Sequence, residues 1–196
     1  MFRFQSSRFL KLAVAAIAFV SHAAFAAPVN FSGELTASDP KFNRPLSLTT
    51  LSGVGTNVAY DVYGFHVTAN GTYSVESTSF SAPGSDTFLY LYRGAFNPAA
   101  PLTNLLALDD DSGAGALSLI NSALLANTQY YLVFAAYYNG DFGTYTGVFN
   151  TAAGSGQVIL DVPVTPGTPG QVPEPATLAL LPLALAGMTL ARRRRG

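Results

Sequence analysis

The segment "YDVYGFHVTANGTYSVES" (residues 60–77) carries the pattern that decides the fold of this 196-residue chain. In its first part Tyr63, Phe65 and Val67 alternate with small or polar residues, and in its second part Tyr73 and Val75 do the same. Successive side chains of an extended strand point to opposite faces, so this period-two pattern predicts two half-buried β-strands.

The turn between these two strands is constrained by the parity of their apolar residues. A two-residue loop would place Glu76 opposite Phe65, with a carboxylate against the core. A three-residue loop with Gly71 in the left-handed region instead pairs Val67 with Tyr73. If the two strands form a hairpin, we therefore expect a type I turn followed by a bulge.

Further strand patterns lie downstream of this segment. "TFLYLY" (87–92) and "QYYLVFAAYY" (129–138) are apolar on both faces, as central strands are, and "GTYTGVFNT" (143–151) alternates again. The body contains no amphipathic helix of useful length. These patterns predict an all-β, two-layer antiparallel β-sandwich, jelly-roll-like, over residues 57–160, with 27–56 as an N-terminal extension that adds a strand or two.

The composition of the body excludes several classes of function. Between Pro28 and Gln171 there are only three basic residues against ten acidic ones, and this acidic balance argues against a nucleic-acid partner. The chain has no cysteine, so disulfides, thiol catalysis and cysteine-based zinc sites are excluded.

The N-terminus has the build of a secretory signal peptide, residues 1–26. Three basic residues within the first eleven precede an apolar stretch, "LAVAAIAFV" (12–20), and "AFAA" (24–27) offers a cleavage site after Ala26. The alternative is an uncleaved anchor, but the apolar stretch is well below the ~20 residues that a membrane span requires.

The C-terminus combines an uncharged segment, residues 176–191, with a run of basic residues. As a helix the segment would reach ~24 Å, which is short for a hydrocarbon core but workable as a single transmembrane helix. Arg192, Arg193, Arg194 and Arg195 are expected to stay on the cytoplasmic side, which places the body outside. The alternative, a buried core helix, would leave four adjacent like charges at the edge of a domain.

Residues 172–196 resemble the PEP-CTERM sorting tail of Gram-negative bacteria. The resemblance rests on Pro173-Glu174-Pro175, the short Leu/Ala-rich span and the terminal arginine cluster. It implies that an exosortase reads Pro173, Glu174 and Pro175 while the tail is in the inner membrane. It further implies export, release or transfer of the body to the cell surface or extracellular space, and a link to exopolysaccharide and biofilm. Residues 161–171, rich in Pro and Gly, are interpreted as a linker.

The body has a resemblance of its own, to the bacterial pre-peptidase C-terminal (PPC) domain. Residues 57–150 carry it, in segments such as "DVYGFHV" (61–67), "SDTFLYLYRG" (85–94) and "LLALDDDSGAG" (105–115). The resemblance implies a small β-sandwich of the kind appended to secreted hydrolases. Residues 28–56 are too few to be a catalytic domain, which departs from that arrangement.

Catalytic motifs are sparse in the body. His66 is its single histidine and is expected to be a solvent-facing or locally bonded strand residue, and no Gly-x-Ser-x-Gly motif is present. We therefore expect that the protein is not an enzyme and needs no cofactor.

Two groups of residues remain as candidates for binding. The first is a set of carboxylates that could bind structural calcium, or else form a solvated acidic loop: Asp86, Asp109, Asp110, Asp111 and Asp141. The second is the tyrosines: Tyr90 and Tyr92 share a face, as do Tyr130 and Tyr138. They are expected either to stack on sugars or to pack in the core.

Three functions follow from the sequence. The favoured one is a secreted, non-enzymatic surface or matrix protein with a structural or adhesive role. The alternative is a carbohydrate- or protein-binding module with a defined ligand. In this alternative, calcium could stabilise the module. The least favoured is a small hydrolase.

Overall fold

The computed structural model describes residues 26–152 and 156–161, and these residues form a β-sandwich. Besides one turn of 3-10 helix at Pro83–Ser85, the described residues form ten strands: β1 (Val29–Leu35), β2 (Lys41–Phe42), β3 (Val58–Val67), β4 (Gly71–Phe80), β5 (Thr87–Arg93), β6 (Leu105–Asp109), β7 (Leu119–Leu124), β8 (Tyr130–Ala136), β9 (Gly143–Thr151) and β10 (Val158–Leu160). The predicted all-β class is confirmed.

The described residues all belong to one compact unit of the chain. The predicted signal peptide, apart from Ala26, lies outside the described residues. So do the predicted linker, apart from Asp161, and the whole sorting tail with its transmembrane helix. No helix in the described ranges is long and apolar enough to cross a membrane.

The strands form two antiparallel sheets. One has four strands in the order β1-β9-β4-β7; the other has six, in the order β10-β3-β8-β5-β6 with β2 also paired to β3. Apart from β2 and β10, the eight strands follow the order of a jelly roll, in which most connections cross from one sheet to the other. The predicted jelly-roll-like arrangement agrees with this order.

Strands β3 and β4 do not form a hairpin, so the condition under which a type I turn with a bulge was expected is not met. The two strands belong to different sheets: β3 pairs with β8, and β4 pairs with β9 and β7. Gly71 begins β4 without a positive φ, and Asn70 instead accepts a hydrogen bond from the amide of Ala126 at 2.8 Å. The parity of the pattern was nevertheless informative, because Val67 and Tyr73 both face the same core, from opposite sheets.

Most of the apolar side chains fill the space between the two sheets. Leu89 and Leu91 of β5 and Leu132 and Phe134 of β8 are fully buried there. The opposite face of the same two strands is buried as well, in a second cluster that we call the outer core: Phe42, Val58, Tyr60, Phe88, Tyr90, Tyr92, Val133 and Ala135. Strands β5 and β8 are therefore apolar on both faces because both faces are covered, as their sequences predicted.

A polar network links the two sheets at one edge of the core. The hydroxyl of Tyr145, on β9, donates to Oδ2 of Asp61, on β3, at 2.5 Å, and lies 2.6 Å from the hydroxyl of Tyr63. Gly33 of β1 makes this possible, since any Cβ there would collide with the Tyr145 hydroxyl. Burial raises the pKa of Asp61, and the hydrogen bond from Tyr145 offsets only part of that rise.

We expect Asp61→Asn to change how stability depends on pH. A carboxyl whose pKa is higher in the folded chain than its ordinary 3.8 favours folding when protonated and loses that contribution as the pH rises through the folded pKa. Asparagine keeps an acceptor for Tyr145 and cannot ionise. Urea unfolding at several pH values should show the variant gaining stability over the native chain as the pH rises from about 3 to about 7.

The matched control is Glu34→Gln, which neutralises an exposed carboxylate on β1 and should show no such gain. An Asp61→Asn chain that is less stable than the native chain at neutral pH, with equal stability at low pH, would contradict this account.

Candidate functional site

The clearest cluster of chemical groups lies at one end of the six-stranded sheet. Asp86 immediately precedes β5, and Asp110 and Asp111 immediately follow β6, its antiparallel neighbour. Because β5 and β6 are antiparallel, the start of β5 and the end of β6 lie at the same end of the sheet. One carboxylate oxygen from each of these three residues, the aspartate cluster, lies within 4.8 Å of the others.

Two of the five predicted ligands do not join this cluster. Asp109 is the last residue of β6, and its oxygens accept hydrogen bonds from the Ser112 amide (3.0 Å), the Ser112 hydroxyl (2.6 Å) and the Leu119 amide (2.7 Å). Asp109 therefore shapes the loop that presents its neighbours. Asp141 lies near enough to contribute to the raised pKa of Asp86, but outside the cluster.

A buried arginine, Arg44, lies beside the aspartate cluster. Its side chain is 0% exposed, and its guanidinium is stacked between the rings of Phe88 (4.6 Å) and Tyr137 (4.1 Å). The Nε atom donates to the carbonyl of Tyr137 at 2.9 Å. Gly55 lies against the stem of the arginine, where a Cβ would collide with it. Sequence reasoning missed this residue, because its partners are distant in the chain and nothing local marks it.

The charges in this region are only partly balanced. Burial raises the pKa of Asp110 to about 6, and the neighbouring carboxylates of Asp111 and Asp86 add to the effect. Burial and Asp111 likewise raise the pKa of Asp86. Arg44 lowers the pKa of both groups without cancelling the rise. Ionised carboxylates at this site are therefore destabilised by one another and by their surroundings.

Several polar atoms in the same region are buried without a hydrogen-bond partner. They are Nη1 and Nη2 of Arg44 and one oxygen, Oδ1, of each of Asp86 and Asp110. Buried polar groups in native proteins are nearly always paired with protein, water or a bound group. These unpaired donors and acceptors share one region, but among the described residues no ion pair within 4.0 Å joins Arg44 to a carboxylate.

His66 takes part in a separate contact that fastens the last described strand. Its Nδ1 lies 3.3 Å from Oδ1 of Asp161, whose other oxygen accepts from Nε2 of Gln129 at 2.6 Å. The amide of Asp161 donates to the carbonyl of Gly64 at 2.8 Å. The contact agrees with the prediction of a locally bonded strand histidine.

The tyrosines suggested as a sugar-stacking surface are mostly core residues. Tyr90 and Tyr92 are 0% exposed, and their hydroxyls donate to the carbonyls of Pro45 (3.2 Å) and Pro101 (2.8 Å). Tyr130 is buried too, and of the four only Tyr138 is exposed. Because Tyr90 and Tyr92 cannot reach a ligand, the core-packing alternative holds for them and the stacking platform is wrong.

Comparison with known proteins places one more functional element in the chain. Residues 171–195 match the family model of the PEP-CTERM protein-sorting motif, as the sequence predicted. Exosortase recognises this motif, which implies secretion and a surface or extracellular location. No curated protein matches the chain.

We expect Arg44→Lys to destabilise the fold by about 2 kcal/mol. A lysine ammonium cannot stack between two rings as a planar guanidinium does, nor keep the bond from Nε to Tyr137. Chemical denaturation would measure the loss. Arg93→Lys, an exchange at an exposed position of β5, is the control and should stay within about 0.5 kcal/mol of the native chain. Equal effects of the two exchanges would contradict the role given to Arg44.

Proposed function

We propose that this chain is an exported, non-enzymatic β-sandwich protein with a structural or adhesive role at the cell surface or in an exopolysaccharide biofilm matrix. An exosortase processes it near Pro173-Glu174-Pro175 during passage through the inner membrane. The observation that carries the proposal is the match of residues 171–195 to the PEP-CTERM protein-sorting motif.

The position of the motif relative to the sandwich supports this order of events. Strand β10 ends at Leu160, and the hydrogen bonds of Asp161 fix the chain at that point. Eleven further residues, rich in Pro, Gly and Thr, separate Asp161 from Pro173. A cut near the motif would therefore remove no residue that contributes to the described sheets or to either core.

A non-catalytic role is supported by the local hydrogen bonds of His66 and Asp61. The single histidine of the body is bonded to the carboxylate that ends β10, and Asp61 is bonded to Tyr145 within the sandwich. Each of these groups has a local structural partner. The body is further proposed to be a PPC-like sandwich, on the resemblance of its strands and turns; the two-sheet architecture is compatible with that assignment.

The sorting step is tested by changing the motif in a host that carries an exosortase. We expect the native chain to lose its C-terminal segment and leave the membrane fraction. Replacing Pro173, Glu174 and Pro175 by alanine should leave the intact mass in that fraction. Intact-mass spectrometry of the membrane and extracellular fractions measures both results.

Glu34→Ala, at an exposed position of the sandwich, is the control and should be processed like the native chain. Normal processing of the triple variant would contradict recognition of Pro173-Glu174-Pro175. Intact native chain in the cytosol would contradict export.

A second candidate, a carbohydrate-binding module, is favoured by one surface feature. An open depression on the four-stranded sheet is lined by polar groups of Asn30, Ser32, Thr78 and Thr146 around Gly147. The hydroxyls of Thr78 and Thr146 lie 2.7 Å apart. Closely spaced hydroxyl and amide groups can exchange hydrogen bonds with the hydroxyls of a polysaccharide.

The two candidates are distinguished by polysaccharide pull-down with the native chain and Thr146→Val, which keeps the shape of the side chain but removes its hydroxyl. Binding that is lost in this variant and kept in Ser74→Ala, a change elsewhere on the same sheet, would favour the binding module. Absence of binding by the native chain favours the structural role.

A further inference from the structure

The aspartate cluster and Arg44 together have the properties of an incomplete ion site. The geometry alone is suitable: with metal–oxygen distances of 2.3–2.6 Å, two oxygens on the same calcium ion are at most about 5 Å apart. The three carboxylate oxygens of the cluster meet this condition. An acidic loop can meet this condition by chance, but the hydrogen bonding and charge around this cluster distinguish it from such a loop.

Several hydrogen-bonding atoms around the cluster have no partner. Arg44 is fully buried and has two nitrogens without an acceptor, and it is close enough to lower the pKa of both Asp86 and Asp110. Those two residues each have a buried oxygen without a donor. Ordered water could complete these hydrogen bonds, but it would leave the repulsion between the carboxylates in place.

The net charge of the three carboxylates and Arg44 indicates which kind of ion the site would bind. Three carboxylates and one guanidinium leave a local charge of −2 when all are ionised. A divalent cation would neutralise this charge. Carboxylates are the ligands that hard cations such as calcium prefer, and the chain has no cysteine to attract softer metals.

We propose that Asp86, Asp110 and Asp111 bind a calcium ion, each through one carboxylate oxygen, beside the positive charge of Arg44. The Asp109 turn holds the loop in place before the ion arrives. Calcium would fasten the start of β5 to the loop that follows β6.

The test uses the full-length protein in detergent, first stripped with EDTA and then supplied with calcium chloride. Extracellular calcium modules have dissociation constants of about 10⁻⁴–10⁻³ M, so about 10 mM calcium should raise the unfolding midpoint by roughly 3–11 °C. Calorimetric titration of the native chain should show one site. Asp110→Asn and Asp86→Asn should remove most of this increment, and Glu34→Gln should keep it.

One further readout separates ion binding from a purely structural role. In EDTA, Asp110→Asn should unfold at a higher temperature than the native chain, because the amide removes the repulsion from Asp86 and Asp111. With calcium the order should reverse. A ligand residue gives this reversal, whereas a residue needed only for the loop would be destabilising in both conditions.

The proposal is overturned if 10 mM calcium leaves the native midpoint unchanged and calorimetry shows no binding with a dissociation constant of about 10⁻³ M or below. It is also overturned if Asp110→Asn and Asp86→Asn both keep the full increment. Equal stabilisation by magnesium chloride would overturn the assignment to calcium. The result does not depend on processing by an exosortase, so sorting and ion binding can fail separately.

Discussion

The six-stranded sheet has to bury apolar side chains on both of its faces, and most of the structure follows from this constraint. Strands β5 and β8 lie inside that sheet and have almost no polar residue to offer to water. One face is covered by the four-stranded sheet. The other is covered by β2 and by irregular segments that bring Phe42 and Phe96 against Tyr90 and Tyr92.

Covering the second face also explains why a charged residue is buried. The chain that follows β2 runs over the outer core, and Arg44 lies inside it between two aromatic rings. A buried cation is tolerated only with compensating charge or hydrogen bonds. The rings, the Tyr137 carbonyl and the nearby carboxylates supply part of that compensation. The electrostatics of the aspartate cluster are thus a consequence of how the outer core is closed.

The sequence was sufficient to predict which segments are strands and which side chains face inward. Alternation reports burial, and Phe65, Val67, Tyr73 and Val75 are all core residues as their spacing predicted. It does not report hydrogen-bonding partners. Because the inner faces of both sheets meet in one core, the same alternation fits a hairpin and a crossover, and it could not decide between them.

The candidate site was predictable only in outline. Five aspartates were expected near one another, but the sequence does not show that two amides and a hydroxyl already occupy Asp109. Nor does it show that Arg44 reaches residues more than forty positions away. Both facts depend on long-range packing. The sorting motif was predictable in full, because its signal is a contiguous stretch of sequence and needs no folded context.

The short last strand has a mechanical consequence for a chain held at its C-terminus. β10 pairs with β3 over only three residues, at the edge of the sheet, and contributes one buried side chain, Val158. If the tail holds the chain at the membrane, as proposed, tension would first load the hydrogen bonds of Asp161 and then separate β10 from β3. The eight strands of the jelly roll would keep their pairing, because β10 would separate from β3 before the load reached them.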